Sequence, residues 1–397
     1  MKKTTLTLIA LFFAILSFSA DKDWKCIKED GSLAFSLKAK YVDKFSDGLA
    51  GVRISEVVNN AWVSAYGFVN KEGKLVIPCR YDKIKGKGFV NGRAWVKKKG
   101  ADYWTLIDKK GNEIPVNNYE KVGYLFEQNE GLMAVYANGR MGFVNQDGKE
   151  VIPCKYTGAT SFEEGLACIA MYDTEKYGFM NMNGEMVIPM QYVQAGISSF
   201  GKDQVCRASV GGKTVLIDRK GNVVFKTTKG NIQITTLNKI RVFTKSNRTG
   251  WGLLDYKDEW VIKPIYDDLS VFNQKGIAEA VKGGLAGLID STGAVLLDFK
   301  YENVYHEPIK DGFYLGVYKT DEPKSLFDTP KDFFTPELEP LQLEDVSYIY
   351  PAEGEPLMKY RNNSKQHGYL NRDFEKVIPA KYSRAKEFTE GLAWVLD

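Results

Sequence analysis

Apolar and polar residues alternate along this chain in a phrase that keeps returning. YGFVNKEGKLVIPCRY (66–81) reappears as MGFVNQDGKEVIPCKY (141–156) and as YGFMNMNGEMVIPMQY (177–192). Each copy opens with a short apolar run that ends in Asn or Asp. A polar turn follows, then a β-branched run closed by Ile-Pro. An Asx side chain can hydrogen-bond the backbone just ahead of it, and glycine supplies the positive φ with which a chain re-enters a strand. The pattern therefore predicts a β-hairpin whose turn is carried by Asn70 and Gly73, Asp108 and Gly111, Asn145 and Gly148, and Asn181 and Gly184. Proline lacks a ladder donor, so Pro78, Pro153, Pro189, Pro264 and Pro379 belong at a strand end or on an edge strand.

A second half follows each phrase: FSDGLAGV (45–52), FEQNEGLMAV (126–135), FEEGLACI (162–169) and FTEGLAWV (388–395). It reads as a third strand entered by a turn at Asp-Gly or Glu-Gly. Tyrosines mark the period, with Tyr81, Tyr119, Tyr156 and Tyr192 followed by Tyr266 and Tyr301. Self-similarity at a period of about 36 residues signals a solenoid, propeller or array. One such unit has too little apolar surface to fold alone, and stacking on like neighbours makes a continuous core. The expected fold is an all-β tandem array of about ten three-stranded units, starting at WKCIKEDGSLAF (24–35) and ending after GLAWV, arranged as an open superhelical β-solenoid. The alternative is a propeller-like ring, or two rings.

The aromatic-glycine pairs Tyr66-Gly67, Tyr177-Gly178 and above all Trp251-Gly252, with V-I-P-x-x-Y and F-x-E-G-L-A downstream, resemble the WG-repeat (KWG-repeat) family. The resemblance covers nearly all of 21–397. Met141, Thr214, Ala286 and His367 depart from the Trp, and Val215 departs from the Gly. The resemblance implies a β-rich repeat scaffold and supplies no catalytic residues.

The first 20 residues, MKKTTLTLIALFFAILSFSA, stand outside the rhythm. Two lysines, an apolar core and small residues near a cut read as a secretory signal peptide. The apolar run is short for a bilayer span, and no later stretch is apolar enough to make one. The chain is expected to be exported, periplasmic or secreted, from a bacterial cell. Net charge is +4, with 26% charged residues of mixed sign and no basic stripe, which argues against nucleic-acid binding.

Little chemistry stands outside the repeat. His306 and His367 have no Cys or His neighbour at metal-ligand spacing, so no metal or cofactor is expected. Paired carboxylates such as Glu163-Glu164 and Asp267-Asp268 could suggest glycosidase chemistry, yet Glu164 shares its turn slot with Asp47, Glu130 and Glu390, which the architecture explains. Cys168 and Cys206 occupy one slot in consecutive units and are a disulfide candidate in an exported chain. Residues 302–356 are hard to phase and hold six of the 13 prolines within 323–356. Here 319–342 reads as a Pro-rich loop inserted in a decayed unit. The expected function is a non-enzymatic scaffold of the cell envelope or exterior that binds a protein. The alternatives are a glycan-binding module and a hydrolase built on 302–356.

Overall fold

The computed structural model describes residues 21–58, 61–123, 130–171, 176–193, 204–236, 239–244, 250–273, 275–306, 314–317, 331–335, 337–350 and 354–397. Among them no helix occurs, and every regular element is a strand. The strands form nine antiparallel sheets: seven of four strands, one of three, and one of seven that carries the phrases of both Asn70 and Asp108.

Each regular sheet has four strands where three were expected. The added one is the stretch after the tyrosine, read from sequence as a mere connection. It pairs as Gly158–Ala159 with Leu166–Ala170, and as Asp268–Leu269 with Ile277–Lys282. Two residues of alternating pattern are too few to announce a strand. The phase also differs. The G-L-A strand Leu166–Ala170 pairs with the strand after it, Lys176–Asn181, so a sheet begins after one tyrosine and ends on the next.

This half-unit shift splits one unit between the two ends of the chain. Lys22–Lys28 and Leu33–Ala39 supply one half, and Arg384–Ala385 and Leu392–Leu396 supply the other. The join is antiparallel, from Lys25 opposite Val395 to Lys28 opposite Leu392. An open array would leave its first and last units apart, and here they share a sheet.

The G-L-A strands are buried on both faces. Leu166 and Cys168 enter one apolar layer, and Ala167 and Ile169 enter the layer on the other side. Alternation along the strand thus divides residues between two cores. Ten such layers occur among the described residues. One joins Ile27 to Tyr369 and Phe388, and another joins Trp24 and Trp394 to Phe45, so the joined sheet is covered on both faces.

The glycine of the aromatic-glycine pair answers to a different need from the turn glycine. In six units the strand opposite it makes a detour. Tyr66 faces Tyr81 while Phe68 faces Ile77, so two steps on one strand match four on the other. The same mismatch recurs opposite Gly142, Gly178, Gly252, Gly287 and Gly368. The detour folds over the glycine. A Cβ on Gly142 would lie 2.5 Å from the Ile152 carbonyl oxygen and 2.7 Å from the Cys154 nitrogen. None of the six has a left-handed φ, so the requirement is room. Where Lys25, Val215 or Asp332 stands in the slot, no such detour pairs with it. Where Thr105 stands there, the route from Ile114 to Tyr119 is one residue longer than from Ile77 to Tyr81. Pro153, Pro189, Pro264 and Pro379 sit on edge strands, as their missing donor requires, whereas Pro78 lies in Leu75–Ile84, a strand paired on both sides whose second partner meets it only from Tyr81 onward.

Gly142→Ala should destabilise the protein by about 2 kcal/mol or more, since backbone on both sides must move. Gly158→Ala, with nothing within 4 Å of the added carbon, should change stability by less than about 0.5 kcal/mol. Denaturant midpoints of the two variants against the parent chain check the pair.

Candidate functional site

The turn residues singled out from sequence all sit in one geometry. Asn70 Oδ1 accepts the amides of Glu72 and Lys74, and Asp108, Asn145 and Asn181 accept at the same offsets. Gly73, Gly111, Gly148 and Gly184 lie at φ 77°, 82°, 76° and 80°, each donating its N–H to the Asx carbonyl. These are structural positions.

The acids of the Glu-Gly turn bind the neighbouring unit. Glu130 accepts the Gly165 amide at 2.7 Å, and Asp47 accepts that of Gly92. Glu390, in the last unit, accepts the Gly48 amide at 3.1 Å and pairs with Lys71 at 3.1 Å. Glu164 takes a hydrogen bond from Gln204. These turn acids are engaged between units.

Cys168 and Cys206 share one apolar layer, as their common slot implies, but both are free thiols. The disulfide read as a candidate is not formed. Both side chains are buried among apolar neighbours, and burial pushes both thiols up to about 12. They serve as small core residues. His306 lies outside the described side chains, and His367 lies in its packing slot against Tyr350, its pKa lowered to about 4 by burial and by nearby Lys359 and Arg361. Of the loop read at 319–342, residues 319–330 and 336 lie outside those described. Lys331–Phe334 and Pro340–Leu341 are strands of a four-stranded sheet.

Two features went unread in the sequence. The first is an ionic cluster where the chain ends meet. Glu387 binds Lys44 at 2.7 Å and Lys359 at 3.1 Å, so it ties the joined sheet to the sheets before and after it. Lys359 also donates to the Ala385 carbonyl and lies 3.9 Å from the Tyr350 ring centre. Burial works to raise the Glu387 pKa, but the Lys44 hydrogen bond and the Lys359 charge outweigh it and hold the carboxyl at about 2. Lys359 points the other way, because burial lowers it in spite of Glu387. The two agree once partners are counted: the carboxylate has two lysines, whereas Lys359 shares one carboxylate and sits deeper.

The second feature is a groove of about 820 Å³ beside the joined sheet, within the size range of small-molecule sites. The strands Leu49–Val58 and Ala61–Asn70 are ten residues long, against five in Met133–Ala137 and Arg140–Val144. Their extra length supplies Ile54, Ser55, Val63, Ser64 and Ala65 to the lining. Lys38, Lys40, Arg53, Arg80 and Lys99 also line it, against Asp21 and Asp82. Arg53 stacks on Tyr66 at 5.3 Å, and Arg80 donates to the Gly111 carbonyl at 2.9 Å. Asp21 accepts the Ser55 amide through Oδ2. Its Oδ1, Arg53 Nε and Ser64 Oγ are buried without a hydrogen-bond partner among the described residues. The sequence signal was the spacing, since Gly48 and Gly67 are 19 residues apart and Gly131 and Gly142 only 11.

The WG containing repeat matches this chain at residues 66–100, 141–173, 177–213, 251–285, 287–317 and 368–396. No curated protein matches. Among solved structures, a eukaryotic initiation factor aligns at 9% identity over 82% of this chain and 96% of its own, with a TM-score of 0.43. AztD of Citrobacter koseri aligns at 10% identity over 89% and 93%, with a TM-score of 0.33. PorZ of Porphyromonas gingivalis, a surface component of the type-IX secretion system, aligns at 11% identity over 92% and 60%, with a TM-score of 0.24.

A carboxylate held low in the fold stabilises it above its unfolded pKa, and that stabilisation is lost as pH falls through the folded value. The stability gap between the parent chain and Glu387→Gln should therefore be full above about pH 4.5 and shrink as pH falls toward about 2. Thermal melts of both across that range measure it.

Proposed function

The chain belongs to the WG containing repeat family, and from that premise we propose that it is a non-enzymatic binding scaffold of the bacterial envelope or exterior. In this reading about ten four-stranded units close into a propeller-like ring that presents a protein-binding surface. The observation that carries it is the use of the repeated residues. The turn acids, turn glycines and tyrosines are engaged in holding units together, and the same contacts recur where the ends join, from Glu390 to Gly48. What remains for recognition is what the units do not share: the long hairpin beside the groove and the segment between Val317 and Lys331. The leader-like residues 1–20 support export.

Every described strand begins at or after Lys22, so residues 21–397 keep the fold and serve as bait for envelope extract and culture fluid. A second bait lacks 321–328, leaving five residues between Val317 and Lys331, enough for a hairpin connection. A protein captured by the first bait and lost with the second supports the scaffold reading and places recognition on that segment. Capture by both places it on the repeats. Capture of glycan without protein would overturn the protein-partner reading in favour of a glycan-binding module.

A further inference from the structure

The groove beside the joined sheet has three properties that a surface crevice does not need together. Its lining carries five basic side chains and two carboxylates. Between them lie the apolar surfaces of Ile54, Val63 and Ala65. Buried polar atoms ordinarily find partners, yet Arg53 Nε and Ser64 Oγ have none among the described residues. Arg53 is held in place by its stack on Tyr66. Its unmatched N–H calls for an acceptor, and the surrounding charge favours an anionic one. The apolar lining calls for a hydrocarbon body behind that head.

We propose that this groove binds an amphiphilic organic anion, a carboxylate or phosphate head on an apolar chain. Arg53 and the Ser64 hydroxyl donate to the head, with Lys38 and Lys99 supplying field at the exposed side. Ile54, Val63 and Ala65 cover the chain. The groove lies on the long hairpin that the proposed function counts among its recognition surfaces, but ligand binding and protein capture are read separately, so failure of either reading leaves the other standing.

The test uses residues 21–397 with decanoate and decyl phosphate, each below its micelle-forming concentration, and decanol as the neutral control. Calorimetry reads binding. Alkylation followed by peptide mapping reads the site through Cys79, which lines the groove, against Cys154, which is equally half-buried but elsewhere. Saturable binding of an anion that slows alkylation of Cys79 and not of Cys154 supports the proposal. Whichever anion binds alone names the head. Arg53→Gln should weaken binding about tenfold, the worth of one charge-assisted hydrogen bond. Lys38→Gln with Lys99→Gln, both at exposed positions, should keep the fold and reduce the salt dependence. The proposal is overturned if neither anion binds saturably, if decanol binds equally well, or if binding is unchanged in both variants.

Discussion

One contact recurs between successive units, and the rest of the architecture depends on it. The isoleucine of the V-I-P run packs on the turn glycine of the following unit. Carbons added to Gly111, Gly184 and Gly293 would stand 3.3, 3.2 and 3.3 Å from Ile77, Ile152 and Ile262. The glycine meets two demands at once, since its positive φ turns the hairpin and its missing side chain seats the neighbour. Glycine alone among the residues satisfies both without strain. The last isoleucine of the series, Ile378, meets the first turn glycine, Gly31, where an added carbon would stand 3.5 Å from it. The contact that propagates the array is therefore also the contact that joins its ends.

Around that contact the other repeated residues take complementary tasks. Phe162 packs edge-on to Phe143 of the unit before it, and Phe388 does the same to Tyr369 where the chain ends meet. Turn acids reach the next unit's amides. In several units a charged residue at the third position of the G-L-A strand bonds the first strand of the next sheet: Arg241 to the Leu269 carbonyl, Glu279 to the Val304 amide, Lys359 to the Ala385 carbonyl. Such buried or half-buried charges carry desolvation penalties that only satisfied partners offset. They sit where the units differ, so they distinguish one interface from another.

The hairpin, its Asx turn and the edge position of four of the five prolines were legible in the sequence because each rests on local backbone chemistry; Pro78 lies in a strand paired on both sides. The recurrence of the phrase disclosed the repeat. The fourth strand was not legible, because residues such as Gly158 and Ala159 show no period over two positions. The phase of the units was hidden for a related reason. A repeat can be cut anywhere, and only pairing shows that Leu166–Ala170 belongs with the strand after it. Misreading that phase made the chain ends look like finished units, whereas they share one sheet. Of the candidate sites, Cys168 and Cys206 were correctly placed together by their shared slot, although proximity did not amount to a bond. The groove and the Glu387 cluster escaped notice because their members are far apart in sequence and outside the repeated phrase.

The central claim is that the two chain ends complete one sheet. Hydrogen exchange of backbone amides tests it most directly, because termini exchange fast unless they are paired in a core. In the joined sheet Lys25–Lys28 face Leu392–Val395 across the ladder. The account predicts that these two segments exchange as slowly as the interior strand Leu166–Ala170, and that deleting 392–397 releases the first. Rapid exchange of both segments in the intact chain, with Leu166–Ala170 protected, would contradict it.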